Sequence, residues 1–188
     1  MAVTTLDTKT ALLVVDLQKG IVGLPTAHPM DGVVKNAVAL TEAFRGRGLP
    51  VVLINVDGGP PGRSERSFSL RDLPPDWTDL IPELNQQPGD HLVTKRTRGA
   101  FTNTDLEKYL RENGVTQVAI IGVATSAGVE STARHAHELG FNVTLAIDAM
   151  TDREADVHHN SVTRIFPRIG ETGTTEQILD LLAAAPRT

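Results

Sequence analysis

The chain has 188 residues, of which 40% are hydrophobic and 22% are charged, and its formal net charge is -5. This length suits one domain with a sizeable core, so we expect a single domain over residues 1–188. The acidic balance argues against a nucleic-acid binder or an anionic-membrane binder, since both need a basic surface.

The sequence contains no cysteine, which excludes disulfides, thiolate metal sites and a cysteine nucleophile. It opens without a basic segment followed by an apolar one, and no run approaches the roughly 20 apolar residues of a membrane span. We therefore expect a cytoplasmic protein with no membrane partner.

Apolar runs and helix-periodic segments alternate along the whole chain. In chain order we predict a strand over 11–16, a helix over 31–47, strands over 51–56 and 91–94, a helix over 103–113, a strand over 118–123, a helix over about 127–139, a strand over 142–147, a helix over about 153–166 and a helix from 174. This alternation is typical of a doubly wound α/β domain with a mainly parallel sheet between two helix layers, a three-layer α/β/α sandwich.

Residues 117–141 form the most informative unit. A buried strand turns sharply at residues 124–126 into a helix, with Ser126 as the expected cap. The first N–H groups of such a helix point out of the carboxyl edge of the sheet, where α/β proteins place their sites. Gly128 lies in the first turn, so only backbone fills the space in front of it.

Two charged residues follow buried strands at the same edge of the predicted sheet. Asp16 ends the first strand and Lys95 follows the strand over 91–94. A carboxylate and an ammonium that meet in a partly dry cleft could move protons, because each shifts the pKa of the other. The plain alternative is that Asp16 caps a turn and Lys95 is a solvated charge.

The sequence resembles the isochorismatase-like hydrolases, a superfamily that includes nicotinamidases and other cysteine amidohydrolases. The resemblance covers nearly the whole chain, and its most specific pieces are Ala-Leu-Leu-Val-Val-Asp-Leu-Gln at 11–18, Lys-Arg-Thr-Arg-Gly-Ala-Phe at 95–101 and Gly-Val-Ala-Thr-Ser-Ala-Gly-Val-Glu-Ser-Thr-Ala at 122–133. In the family's cysteine hydrolases the catalytic triad is Asp, Lys and Cys. Asp16 and Lys95 match the first two, and Gly128 falls at the cysteine. True isochorismatases also carry glycine there and cleave a vinyl ether without a covalent intermediate.

The resemblance implies a hydrolase of a small carboxylated metabolite, with Asp16 as general acid and Lys95 in support. Two alternatives stay open. One is an inactive or repurposed member that binds a small molecule or a partner, and the other is an amidohydrolase that uses direct attack by water. The resemblance also implies a cis peptide bond between Val123 and Ala124, and a homo-oligomer of two or more chains.

Further candidates for substrate contact come from the motifs and from a proline-rich loop at 57–79 whose length indicates a functional segment. Loop arginines could clamp a carboxylate, although a surface role explains any single one as well. Phe101 could form an apolar wall or pack in the core. The candidates are Gln18, Arg63, Arg66, Phe101, Ala124, Thr125 and Ala127.

No motif predicts a metal or another cofactor. The histidine pairs lack the i, i+4 spacing of a helical metal site, and Asp57 is followed by two glycines instead of the nicotinamidase Asp-x-His. Serine and threonine near the turn lie outside Gly-x-Ser-x-Gly, which disfavours a serine nucleophile.

Overall fold

A computed structural model describes residues 3–65 and 73–185. Its centre is a 6-stranded sheet in the order β3-β2-β1-β4-β5-β6, and every neighbouring pair of strands is parallel. In chain order the strands are β1 Thr10–Val15, β2 Val51–Val56, β3 His91–Lys95, β4 Gln117–Val123, β5 Asn142–Thr151 and β6 Glu171–Gly173. The predicted parallel α/β architecture is confirmed.

Helices cover both faces of this sheet. They are α1 Lys19–Val22, α2 Met30–Gly46, α3 Leu106–Glu112, α4 Glu130–Glu138, α5 Ala155–Asn160 and α6 Thr175–Ala184. Alternate residues of β1 point to opposite faces, so Leu13 packs in a cluster with α3 and α4 while Leu12 packs in a cluster with α2 and α6. Every residue of β1 is buried, which explains its unbroken apolar run from residue 11 to residue 15.

The order of the strands places a topological switch at β1. The chain moves outward from β1 through β2 to β3 and then returns to place β4 on the other side of β1. Crossover loops diverge at such a point and leave a crevice beyond the carboxyl ends of the two strands. The ends of β1 and β4 are therefore the expected place for a site.

Several predicted elements have different bounds in the structure, and two of them differ in type or by several residues. The helix predicted over 153–166 is only partly α-helical, because a wider turn follows at Ser161–Ile165 and a 3-10 turn at Phe166–Arg168. Pro167 has no N–H to continue the helix. The strand predicted over 142–147 continues as β5 to Thr151, since its register against β4 shifts between Ile120 and Gly122 and pairing then resumes.

Threonine side chains bind at the starts of two helices. Thr174 and Gln177 form a capping box at the start of α6, the helix predicted from residue 174. The helix predicted from residue 103 instead begins at Leu106, because the Thr104 hydroxyl donates to the Ala100 carbonyl and holds a turn there.

Within residues 3–65 and 73–185, no helix has both the length and the apolar content to cross a membrane. The homo-oligomer stays a prediction.

A buried ion pair fixes the loop before β3 to the end of α2. Arg45 donates from Nε to Asp90 Oδ1 at 3.0 Å and from Nη2 to Asp90 Oδ2 at 2.6 Å, and the Asp90 side chain is 3% exposed. The Gln87 N–H also donates to this carboxylate.

Replacing Asp90 with alanine should lower the free energy of unfolding by about 3 kcal/mol, because a largely buried guanidinium loses its partner. Urea denaturation measures the change. The matched control is Glu112→Ala in the exposed Lys108–Glu112 pair, where we expect a change within about 0.5 kcal/mol. Equal losses of unfolding free energy in the two variants would show that the Arg45–Asp90 pair stabilises the protein no more than an exposed pair does.

Candidate active site

Asp16 is the first residue beyond β1, and its backbone takes an unusual conformation. Its φ is 53°, in the left-handed region that non-glycine residues rarely adopt outside special sites. The Asp16 N–H still donates to the Ile54 carbonyl at 2.9 Å, so the strand ends in a fixed position. The residue is 6% exposed, which removes most water from its carboxyl.

Lys95 reaches Asp16 from two strands away. It is the last residue of β3, and β2 lies between β3 and β1. Its Nζ donates to Asp16 Oδ2 at 2.8 Å and to the Thr97 carbonyl at 3.3 Å. Lys95 is 2% exposed, so this is a buried ion pair and not the solvated lysine of the plain alternative.

Gly128 packs directly against this pair. A β-carbon built on Gly128 would lie 3.0 Å from Asp16 Oδ2 and 3.0 Å from Val15 Cγ1. The glycine belongs to a wide helical turn, Thr125–Val129, that links β4 to α4. The predicted cis peptide between Val123 and Ala124 is present at the start of this turn. The structure thus brings Asp16, Lys95 and Gly128 together at the carboxyl ends of the strands.

The carboxyl of Asp16 is unusual in its hydrogen bonding and its acidity. Among the described residues, its Oδ1 is the one buried side-chain polar atom without a hydrogen-bond partner. Burial raises the pKa of Asp16 to about 6, although the charge and hydrogen bond of Lys95 act in the opposite direction. Asp16 can therefore carry a proton over a range of pH where an ordinary carboxyl is ionised, with one oxygen free to transfer it.

Ser126 does not cap the helix with its side chain, so that prediction is wrong. Its hydroxyl donates to Asp152 Oδ2 at 2.8 Å, and its backbone N–H donates to the same oxygen at 2.7 Å. Asp152 is the residue that sequence reasoning missed. It follows β5 directly, so the signal that could have found it is a carboxylate at the end of a strand. The predicted strand ends at residue 147 and therefore misses this signal.

Thr125 is also held from outside the turn. Its hydroxyl is 2.8 Å from Nδ1 of His158, which lies on α5. Burial and the neighbouring His28, whose ring centroid is 4.6 Å away, lower the pKa of His158. Thr125 is fully buried, so its side chain links the turn to α5.

Thr132 joins the turn to the loop after β3. Its hydroxyl donates to the Gly128 carbonyl at 2.7 Å and accepts from the Ala100 N–H at 3.1 Å. Thr132 is fully buried. The loop that follows Lys95 and the turn that contains Gly128 are therefore fixed relative to each other.

Two predicted substrate contacts have structural roles instead. Gln18 is fully buried, and its amide exchanges hydrogen bonds with the Val56 backbone and donates to the Trp77 carbonyl. It therefore anchors the end of β2 and has no free polar atom for a ligand. Phe101 is 7% exposed and packs in the core near Phe141, which favours the core alternative.

The remaining candidates differ in access. Ala124 and Ala127 are half-buried within the turn, and the Ala124 carbonyl accepts from the Ala127 N–H. Arg63 is exposed at the start of the long loop, and Arg66 lies outside the described residues. Arg96 is already paired with Asp57 at 2.9 Å.

A concavity of about 530 Å³ occurs elsewhere, beside β2 and β3. Its walls include Leu53, Asn55, Leu92 and Thr94 but none of Asp16, Lys95 or Gly128. Leu92 and Thr94 alternate with Val93 and Lys95 along β3 and so face the opposite side of the sheet. We place the candidate site at Asp16 because the buried pair and the unpartnered oxygen are there.

The described residues contain no group of three or more acidic or histidine side chains suited to a metal.

Comparison with known proteins agrees with this architecture. The family model for the isochorismatase domain matches residues 10–177. The chain belongs to the isochorismatase family. Members of this family are hydrolases, including amidohydrolases, and the chain is accordingly an isochorismatase-family hydrolase.

Three relatives show how far the similarity extends. The isochorismatase family protein YecD of Escherichia coli O157:H7 is 41% identical over 183 residues, covering 92% of this chain and 96% of that protein. The ureidoacrylate amidohydrolase RutB of Pseudomonas syringae is 30% identical over 169 residues, covering 73% and 69% of the two chains. The structure of an isochorismatase family protein from Burkholderia thailandensis has a TM-score of 0.92 at 37% identity and covers 96% of this chain and 98% of its own.

Proposed function

We propose that this hydrolase cleaves a vinyl ether in a small carboxylated metabolite, with Asp16 as the general acid and without a covalent intermediate. The observation that carries this proposal is the site itself. A buried carboxyl with a raised pKa and one unpartnered oxygen faces a turn in which glycine replaces any nucleophile.

The reaction needs a proton donor and a water molecule. Asp16 transfers its proton to the terminal vinyl carbon, and the adjacent ether carbon becomes an oxocarbenium ion. Water adds to that cation, loses a proton to the Asp16 carboxylate, and the resulting hemiketal breaks into a keto acid and an alcohol. Asp16 ends the cycle protonated, so acid and base are both restored.

Lys95 has a specific part in this cycle. Its ammonium, 2.8 Å from Asp16 Oδ2, stabilises the carboxylate that remains after proton transfer. Burial alone would hold the acid too weak to give up its proton, and Lys95 alone would hold it ionised. The pKa of about 6 reflects both influences.

Amide hydrolysis by direct attack of water is the second candidate. The relative named as a ureidoacrylate amidohydrolase favours it. In that reaction Asp16 would act as a base that takes a proton from water, so its ionised form would be the active one. A binding protein without turnover is the third possibility.

A substrate screen separates these functions. Isochorismate, related vinyl ethers and small amides are incubated with the protein, with pyruvate and ammonia measured as separate products. The proposal expects a keto acid from a vinyl ether and no ammonia from the amides. Release of ammonia would favour the amidohydrolase, and ligand binding without any product would favour the binding protein.

The pH dependence of kcat/KM tests the role of Asp16. With Asp16 as the acid, its protonated form is active, so kcat/KM should be flat below about 6 and fall about tenfold per pH unit above it. With Asp16 as the base, the same ionisation should make kcat/KM rise through about 6 and then level off. Initial rates at low substrate concentration from about pH 4 to about pH 8 measure the direction, a range of roughly two units on either side of this pKa.

A further inference from the structure

Asp152 is a buried residue whose two carboxylate oxygens both accept hydrogen bonds. It is 6% exposed, and its Oδ2 accepts hydrogen bonds from both the N–H and the hydroxyl of Ser126. Its Oδ1 accepts from the Arg153 N–H at 2.8 Å. A buried carboxylate is costly unless it is well hydrogen-bonded, and here the donors are backbone and hydroxyl groups at the start of a helical turn, where a negative charge is favourable.

The residue that Asp152 holds lies near the start of the turn Thr125–Val129. Ser126 comes two residues after the cis bond and two residues before Gly128. His158 holds Thr125 on one flank, and Thr132 holds the Gly128 carbonyl on the other. Asp152 follows β5 and His158 lies on α5, so two neighbouring segments hold the turn, and Thr132 adds a bond from α4, the helix that continues it.

The position of this turn determines how well Asp16 is covered. Gly128 has no side chain that could adjust, and its backbone is so close that a β-carbon added to it would lie 3.0 Å from Asp16 Oδ2. A small outward movement of the backbone would therefore admit water to the carboxyl directly. Among the described residues, Lys95 is the charged side chain that shifts the pKa of Asp16, and the turn residues Thr125–Val129 carry no charge.

We propose that Asp152 is a positioning residue for the candidate site, whose carboxylate holds Ser126 so that the backbone of Gly128 packs over Asp16 and excludes water. Asp152 acts through the turn and makes no contact with Asp16. The effect on catalysis rests on the proposed function, whereas the effect on Asp16 itself does not.

Two conservative variants separate position from charge. Asp152→Asn removes the charge but keeps an oxygen that can accept from Ser126. Asp152→Glu keeps the charge but moves the carboxylate by one methylene group and displaces the turn. Titration of the Asp16 side-chain carboxyl by ¹³C NMR in the free protein reports its pKa in each variant, without any substrate.

The proposal expects the pKa of Asp16 to fall by about one unit in Asp152→Glu and to change by less than about 0.3 unit in Asp152→Asn, because water reaches the carboxyl only when the turn moves. A charge effect alone predicts the reverse: no change in Asp152→Glu and a shift in Asp152→Asn. That reverse pattern, or no shift in either variant, would overturn the proposal. Circular dichroism confirms folding, and Asp152→Ala replaces Asp152→Glu if the latter does not fold.

Kinetics on the same variants keep the two proposals separate. If Asp16 is the acid, the high-pH limb of kcat/KM should move with the NMR pKa, to lower pH in Asp152→Glu and hardly at all in Asp152→Asn. An NMR shift without movement of the limb would show that Asp16 is not the acid, and the positioning role would stand. If the NMR pKa of Asp16 is unchanged in Asp152→Glu and the high-pH limb of the wild-type protein lies near 6, the positioning role is refuted and the role of Asp16 as the acid stands.

Discussion

Replacing Asp16 with asparagine should lower kcat about 10²–10⁴-fold on the substrate found in the screen, the usual contribution of a positioned general acid. Asparagine keeps the shape of the side chain and an oxygen for Lys95, but it has no proton to transfer. The loss should fall mainly on kcat and much less on KM, because the missing interaction belongs to the transition state. Steady-state kinetics on the purified variant measure both constants.

The matched control is Asp148→Asn, the same change at another carboxylate of the central sheet. Asp148 accepts hydrogen bonds from the N–H and the hydroxyl of Thr175 at the start of α6, so its carboxylate fixes the start of that helix. Its variant should keep kcat within about twofold, since no reacting group changes. An active Asp16→Asn together with an inactive Ser126→Ala would instead point to a serine nucleophile.

Replacing Gly122 with alanine should prevent the protein from folding, or cost well over 4 kcal/mol of unfolding free energy. Gly122 lies on β4 beside Val15 and has a φ of 118°, which residues with a side chain rarely adopt. A β-carbon there would overlap the backbone carbonyl of Val15. Neither strand can move away, because both are central and pair on each side.

Gly32→Ala is the control for the general effect of replacing glycine. Gly32 lies in α2, and a β-carbon built on it meets nothing within 4 Å. Alanine should stabilise the helix there by about 0.5–1 kcal/mol. Soluble yield and urea denaturation of the two variants give the comparison, and a folded Gly122→Ala of normal stability would contradict the packing argument.

The core of the candidate site could be predicted from the sequence because parallel strands share one carboxyl edge. Asp16 follows an apolar run, Lys95 ends a short strand, and the strand-turn-helix unit places Gly128 at the same edge. The period and length of the apolar runs are enough to locate them. Their burial and the unpartnered oxygen of Asp16 could not be predicted, since these depend on how three separate segments pack.

The supports of the turn were not predictable by the same reasoning. The true end of β5 depends on a register shift against β4, which no local pattern in residues 142–152 reveals. His158 lies on a short helix whose polar sequence gives no sign that one histidine turns inward to Thr125. Contacts between side chains that are far apart in sequence are properties of the assembled layers and not of any one segment.

The central position of β1 has a consequence for synthesis of the chain. This strand is made first, but it pairs with β2 on one side and with β4, which ends at Val123, on the other. Until residue 123 has left the ribosome, one edge of a fully buried strand has no partner. The sheet therefore cannot close around β1 until β4 has been made. Truncations that stop before β4 should for the same reason aggregate and not form a smaller folded unit.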